Sequence, residues 1–108
     1  MEIHNLTGLS LKHVYGIIYG LENRYNHRTY IGQTIQEIRR RIYNHKIAKT
    51  CIGNAIRKYA ADGFFIVVLD VCENKEQLNQ PEMKWIAQLN CKYSNGYNLT
   101  DGGESPLA

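Results

Sequence analysis

The chain has little of what marks secreted or membrane proteins. None of its apolar runs approaches the length of a membrane-spanning helix, and its first residues lack the pattern of a signal peptide. The three cysteines, Cys51, Cys72 and Cys91, are odd in number, distant from one another and form no Cys-X-X-Cys pair. This spacing argues against a disulfide framework or a cysteine-ligated zinc site, so we expect a reducing, cytoplasmic environment.

The sequence also lacks internal repeats, low-complexity tracts and a large excess of charge. Its 108 residues suit one domain with one modest core, and a hydrophobic content of 44% is that of an ordinary globular protein. The net charge of only +3 says little by itself.

The positive charges are nevertheless concentrated in one segment. The basic residues that we predict to contact nucleic acid are Arg39, Arg40, Lys46 and Lys49. A local basic surface of this kind suits a polyanion such as nucleic acid. The alternative is a solvated helix face, which is the usual explanation of a charge run seen alone.

A β-hairpin is the clearest local signal. Two short runs of aromatic and β-branched residues, 14–21 and 27–32, flank a polar and turn-prone segment. The runs contain Gly16-Ile17-Ile18-Tyr19 and Tyr30-Ile31-Gly32. Pairing of the two strands would bring Tyr19 and Tyr30 within reach of a shared surface, although a tyrosine in a strand is most often structural.

The next segment predicts two helices. A helix follows Thr34 and extends to about residue 49, with Ile35, Ile38 and Ile42 forming one apolar stripe. A second helix covers residues 52–62, and Gly63 is expected to be its left-handed cap.

The second half predicts a buried strand and a third helix. The apolar run 64–71 predicts a strand at the centre of the sheet, with helices on both sides. We expect a turn near residues 75–78 and a helix over 81–90, with Pro81 at its first position and Glu82 at its second. Residues 1–13 are weakly patterned, and we expect them to be partly mobile.

Four side chains stand out for chemistry. Glu82 occupies a position where the apolar stripe of its helix calls for a hydrophobic residue, which is costly for a carboxylate without a partner or a metal. The alternative is a structural acidic residue that interacts with the helix dipole. Arg41 and His45 are four residues apart, so they share a helix face beside the apolar stripe and can reach a site on the sheet. The alternative is a structural role for both, as an arginine that extends its charged group to the solvent and a histidine at the boundary of the core. Asn98 could be only a turn residue that bonds its own backbone.

Together these residues resemble the GIY-YIG nuclease domain over residues 14–103. The residues that carry the resemblance, in order, are Tyr19, the triplet Tyr30-Ile31-Gly32, Arg41, His45, Glu82 before Trp85-Ile86, and Gly96-Tyr97-Asn98. The first motif departs from the literal pattern, because Ile17 separates Gly16 from Ile18-Tyr19. Arg40 is an alternative to Arg41, but the four-residue step to His45 favours Arg41.

The resemblance implies an α/β (α+β) fold with a small three-stranded antiparallel sheet flanked by helices. It also implies that Tyr19 activates the attacking water with support from Tyr30, and that Arg41 neutralises the scissile phosphate. His45 would assist proton transfer or phosphate contact. Glu82 would hold one divalent metal ion, and Asn98 would tether the site.

The expected function is Mg²⁺-dependent hydrolysis of DNA, with Mn²⁺ as a substitute. Because the reference pKa of tyrosine is about 10, Tyr19 needs either a pKa lowered by Arg41 and the metal, or a neighbour such as Tyr30, His45 or water to take its proton. We expect residues 1–13 to precede the nuclease domain and 104–108 to begin a linker. We therefore expect the catalytic part of a homing-endonuclease-like protein with a separate DNA-binding region.

Other functions fit the same residues less well. A catalytically silent nucleic-acid-binding module would not need Glu82 among its phosphate contacts. A protein-interaction domain would show no salt-dependent affinity for DNA. A small stand-alone structure- or repair-related nuclease is the alternative within the nuclease class.

Overall fold

A computed structural model describes residues 2–103 of the chain, except for the side chain of residue 61. The regular elements are β1 (Ile3–Asn5), β2 (Gly16–Asn23), β3 (Thr29–Thr34), α1 (Ile38–Ile47), α2 (Cys51–Tyr59), β4 (Phe64–Cys72) and α3 (Asn79–Gln88). Short 3₁₀ turns, Ala61–Gly63 and Lys75–Gln77, precede β4 and α3. No helix within residues 2–103 is long and apolar enough to cross a membrane.

The predicted α/β fold is confirmed, but the sheet has four strands rather than three. Its order is β1-β4-β2-β3, in which β2 is antiparallel to both β3 and β4. The additional strand β1 pairs in parallel with Ile66–Val68 of β4. The sequence analysis did not predict a strand within residues 1–13, because a three-residue strand is too short to show alternation.

The predicted hairpin is confirmed, with both strands displaced by about two residues toward the C-terminus. Tyr19 lies opposite Gly32, and Leu21 lies opposite Tyr30. Side chains alternate between the two faces of a strand, so this register places Tyr19 and Tyr30 on the same face as diagonal neighbours.

The first two helices are shorter than the sequence predicted. α1 begins at Ile38 because Glu37 caps it, with its side chain accepting a hydrogen bond from the Arg40 amide. Ile35 therefore lies before α1 and packs on the other side of the sheet from Ile38. α2 ends at Tyr59, where Ala60 rather than Gly63 adopts the left-handed backbone with φ of 63°.

The third helix begins two residues earlier than predicted. Asn79 is its first residue, so Pro81 is third and Glu82 fourth. Proline is accommodated there because the first four amides of a helix have no intrahelical acceptor. Glu82 therefore lies at the end of the first turn rather than at the second position.

Apolar residues cover both faces of the sheet, as the sequence predicted. Ile17, Tyr19 and Leu21 of β2 pack with the buried side chains of α1 and α2 on one face. Ile18 and Ile31 pack with Ile86 of α3 on the other. Because β3 forms an edge of the sheet in the described residues, groups from both faces can meet around it.

Candidate active site

The Tyr19 ring lies across Gly32, and only glycine leaves room for it. A Cβ atom at position 32 would lie 2.5 Å from the Tyr19 hydroxyl oxygen and 2.6 Å from Cζ of the ring. These distances are far below van der Waals contact. The centroids of the Tyr19 and Tyr30 rings are 6.3 Å apart. Gly32, the glycine of the second motif, thus leaves the space that the Tyr19 ring on the neighbouring strand β2 occupies.

The hydroxyl of Tyr19 forms a hydrogen bond with Nε2 of His45, at 2.6 Å. His45 is 6% exposed, and its pKa is lowered to about 4, first by burial and then by the positive charge of Arg41. The imidazole is therefore neutral near pH 7, and in the tautomer that carries its hydrogen on Nδ1 the Nε2 atom accepts the Tyr19 hydrogen.

The pKa of Tyr19 is raised well above its usual value, mainly because the side chain is buried and secondly because Tyr30 lies nearby. Arg41 acts in the opposite direction through its charge and a hydrogen bond to Tyr19. Arg41 by itself therefore does not bring the pKa of Tyr19 below its ordinary value, and the expected lowering by Arg41 together with a metal ion stays a prediction. The other expected route, transfer of the Tyr19 proton to His45, has the required hydrogen bond.

Of the three consecutive arginines, Arg41 faces the site. It lines the cleft described below and is partly buried, whereas Arg39 and Arg40 are exposed and do not line it. The Nε atom of Arg41 is buried and has no hydrogen-bond partner within residues 2–103. The geometry therefore favours Arg41 over Arg40 as the arginine that meets an anion.

Glu82 approaches the cleft from the opposite face of the sheet. Its carboxylate is on α3, 7% exposed, and Oε1 accepts hydrogen bonds from Gln33 Nε2 at 3.1 Å and from the Gly103 amide at 2.7 Å. Gly102 and Gly103 have φ values of +87° and +86°, which lets the chain turn back onto α3. The cost of burying a carboxylate at a position that suits an apolar residue is thus offset by hydrogen-bond donors from β3 and from the C-terminal loop.

Asn98 tethers the loop after α3 to the edge strand. Its Oδ1 accepts from the Ile31 amide and its Nδ2 donates to the Ile31 carbonyl, both at 2.8 Å. The side chain therefore satisfies the main chain of β3 where a further strand is missing from the sheet. The alternative that Asn98 bonds its own backbone is not observed.

These elements enclose one open cleft of about 410 Å³ around the edge of the sheet. Its lining includes Tyr30, Gln33, Arg41, His45, Glu82 and Asn98. Five of the six predicted site residues thus border the same space. Tyr19 does not line it, because its side chain is fully buried behind them. The expected shared surface therefore presents one phenol, and the second lies beneath.

Gln33 is the most deeply buried polar lining residue that the sequence analysis did not predict. The sequence shows only that a polar residue directly follows Tyr30-Ile31-Gly32. That this residue is buried depends on the packing of α3 over β3, which the sequence pattern does not reveal. The predicted nucleic-acid contacts Arg39, Arg40, Lys46 and Lys49 are all exposed, and none of them lines the cleft.

The donor set is compatible with a divalent ion held mainly by water. No group of three or more histidine, cysteine, aspartate or glutamate side chains converges within the described part of the chain. Mg²⁺ retains several of its waters and binds proteins through one or two carboxylates. Glu82 and the buried amide oxygen of Gln33 are the oxygen groups that fit such an ion.

The sheet with helices on both faces, together with this cleft at its edge, defines a nuclease domain of the GIY-YIG class. A family model described as the GIY-YIG catalytic domain matches residues 15–98, and the chain belongs to this family. Among solved structures, the fold is similar to a glutamate-to-alanine mutant of the catalytic domain of intron endonuclease I-TevI. The TM-score is 0.66 and the identity 23%, over 81% of this chain and 95% of that chain. Comparison with curated proteins found no match.

Proposed function

We propose that this domain is a divalent-metal-dependent endonuclease that hydrolyses DNA phosphodiester bonds. The observation that carries the proposal is the convergence of Tyr30, Arg41, His45 and Glu82, from β3, α1 and α3, on one cleft. A phenol, a guanidinium, a neutral imidazole and a carboxylate are the groups that hydrolysis of a phosphate diester can use.

Arg41 is the proposed phosphate-binding group. Its Nε–H is buried without a protein acceptor in residues 2–103, so a phosphate oxygen that enters the cleft would satisfy it. A planar guanidinium can donate two parallel hydrogen bonds to phosphate, and a partly buried site strengthens the attraction. Arg41 would thereby stabilise the charge that develops on the non-bridging oxygens.

The Tyr19–His45 pair is the proposed proton acceptor. The attacking water gives a proton to the Tyr19 oxygen as the Tyr19 proton passes to Nε2 of His45. The water oxygen forms the new P–O bond while the bond to the leaving 3′ oxygen breaks, and that oxygen takes a proton from solvent. Because Tyr19 is fully buried, the side chains that cover it must move to admit a water for this step.

Glu82 is the proposed ligand of Mg²⁺, with Mn²⁺ as a substitute. When bound, such an ion would polarise the phosphate and stabilise the leaving oxygen. The protein's part is to orient the carboxylate, which Gln33 and the Gly103 amide do by donating hydrogen bonds to its Oε1.

DNA is the proposed substrate, and the exposed basic residues of α1 and the segment after it are the proposed backbone contacts. These residues are Arg39, Arg40, Lys46 and Lys49. A domain with few base-reading groups suits a homing-type endonuclease that recognises its target through a separate DNA-binding region. A small stand-alone repair-related nuclease is the alternative, and a cytoplasmic location is part of the proposal.

Cleavage of supercoiled plasmid tests the proposal. We expect nicked or linear product in Mg²⁺ or Mn²⁺, and none when the ion is removed with EDTA. Glu82→Gln should abolish cleavage, whereas the matched exposed variant Glu76→Gln should leave it unchanged. DNA binding without cleavage in either ion would instead indicate a silent binding module. Absence of both binding and cleavage at low salt would indicate a protein-interaction domain.

A further inference from the structure

Gln33 is a buried polar side chain that the proposed mechanism does not yet use. It follows Gly32 on β3, is 3% exposed, and lines the cleft beside Glu82. Its Nε2 donates to Oε1 of Glu82 at 3.1 Å and to Oδ1 of Asn79 at 3.0 Å. Gln33 is therefore held by α3 from two sides.

These contacts determine the orientation of the amide. Both hydrogen bonds direct the amide nitrogen of Gln33 toward α3, so its amide oxygen points the other way. The Oε1 atom of Gln33 is left buried and has no hydrogen-bond partner among residues 2–103. An unsatisfied buried acceptor costs about 1–3 kcal/mol, so a group that recovers this loss is expected at the oxygen.

We propose that the amide oxygen of Gln33 is a second protein ligand, beside the carboxylate of Glu82, of the divalent metal ion in the cleft. The inference rests on the proposed metal-dependent nuclease function. Hard divalent cations take oxygen ligands, and glutamine carbonyls are among them. An amide oxygen supplies this ligand without adding a second negative charge next to Glu82.

A purely structural role makes the opposite prediction for one substitution. If Gln33 only donates a hydrogen bond to Glu82, Gln33→Glu should harm metal binding more than Gln33→Leu, because two carboxylates repel. If Gln33 provides a ligand oxygen, Gln33→Glu keeps that oxygen and adds charge, so metal binding is retained or tightened. Gln33→Leu removes the oxygen and weakens binding in either case.

Direct titration with Mn²⁺, followed by the electron paramagnetic resonance signal of the free ion, tests the proposal without an activity readout. The titration is run with and without a short DNA duplex. We expect Gln33→Leu to weaken Mn²⁺ binding about tenfold or more and Gln33→Glu to retain it. Gln36→Leu is the matched control, because Gln36 is exposed and outside this cleft, and it should bind as the unsubstituted protein does.

The outcomes separate this inference from the proposed function. If the unsubstituted protein binds no Mn²⁺ with or without DNA, both are overturned. If it binds Mn²⁺ and loses it on Glu82→Gln, but Gln33→Leu binds equally well, only the role of Gln33 is overturned. Weaker binding by Gln33→Glu than by Gln33→Leu also overturns it. Thermal melting shows whether each variant folds, and Gln33→Glu alone decides the matter if Gln33→Leu does not.

Discussion

The hydroxyl of Tyr19 lies 2.6 Å from Nε2 of His45, in a hydrogen bond that joins the second strand to the first helix. Both side chains are almost fully buried. Burial raises the pKa of Tyr19, and burial followed by the charge of Arg41 lowers the pKa of His45, so both groups are neutral near pH 7. The pair can therefore move a proton without carrying a net charge at rest.

Tyr19→Phe should abolish cleavage while the fold is preserved. The substitution removes the oxygen that would accept the proton of the attacking water, and leaves the aromatic ring in the core. Loss of the hydrogen bonds to His45 and Arg41 should lower the free energy of unfolding by about 2 kcal/mol. Plasmid cleavage and thermal melting check the two parts. Tyr25→Phe, at an exposed position, is the control, and substantial nicking by Tyr19→Phe would contradict the role given to this residue.

Acid should destabilise the protein through His45. The folded pKa of about 4 lies below the reference value of about 6.5, so between these values the unfolded chain binds a proton that the native protein does not. The free energy of unfolding should therefore fall by about 2 kcal/mol from pH 7 to pH 5 through this group alone.

Urea denaturation at the two pH values measures this difference. In His45→Gln the fall in the free energy of unfolding between pH 7 and pH 5 should become smaller by this amount. In the control His4→Gln, at an exposed position, the fall should persist. A pH dependence that is unchanged in His45→Gln would show that His45 titrates normally in the folded protein.

Gly32→Ala should impair activity through Tyr19. The added Cβ would displace the Tyr19 hydroxyl or the backbone of β3, because no space of ordinary van der Waals size is available. Overpacking of this kind typically costs about 1–3 kcal/mol of stability. Gly20→Ala is the matched control on the neighbouring strand, since its Cβ would meet nothing closer than 3.4 Å. Equal melting temperatures for the two variants would contradict the steric role of Gly32.

Asn98→Ala should loosen the loop after the third helix from the edge strand. The variant loses two hydrogen bonds and leaves the Ile31 amide and carbonyl without their side-chain partner. We expect the free energy of unfolding to fall by about 2 kcal/mol. Hydrogen exchange at the Ile31 amide should become faster, whereas Asn95→Ala, at an exposed position of the same loop, should leave it unchanged.

Arg41→Gln and Arg40→Gln should separate catalysis from DNA binding. Arg41 lines the cleft, so its loss should lower the cleavage rate at saturating DNA by about tenfold to a thousandfold. Arg40 is exposed, so its loss should weaken binding and reduce the slope of log affinity against log salt by about one. Reversal of these two phenotypes would assign the phosphate contact to Arg40.

Local patterns were sufficient for the hairpin and the buried fourth strand, and five of the six predicted site residues line the cleft. The aromatic and β-branched residues of the two glycine-containing motifs, 16–19 and 30–32, predict strands. The four-residue step from Arg41 to His45 places both side chains on one face of a helix. Helix boundaries were less accurate, because the side chain of Glu37 and the left-handed Ala60 decide where α1 begins and where α2 ends. Pro81 was misleading because the first turn of a helix tolerates proline at any of its positions.

The sequence by itself determined the strand pairing that carries Tyr19 and Tyr30 and the helix face that carries Arg41 and His45, because both depend on periods of two and about four residues. Only the tertiary structure decided that Ile3–Asn5 joins the sheet, that Tyr19 is enclosed while Tyr30 borders the cleft, and that Gln33 meets Asn79 and Glu82. These relationships join residues far apart in the chain and depend on how strands and helices pack together, which the local spacing of residue types does not encode.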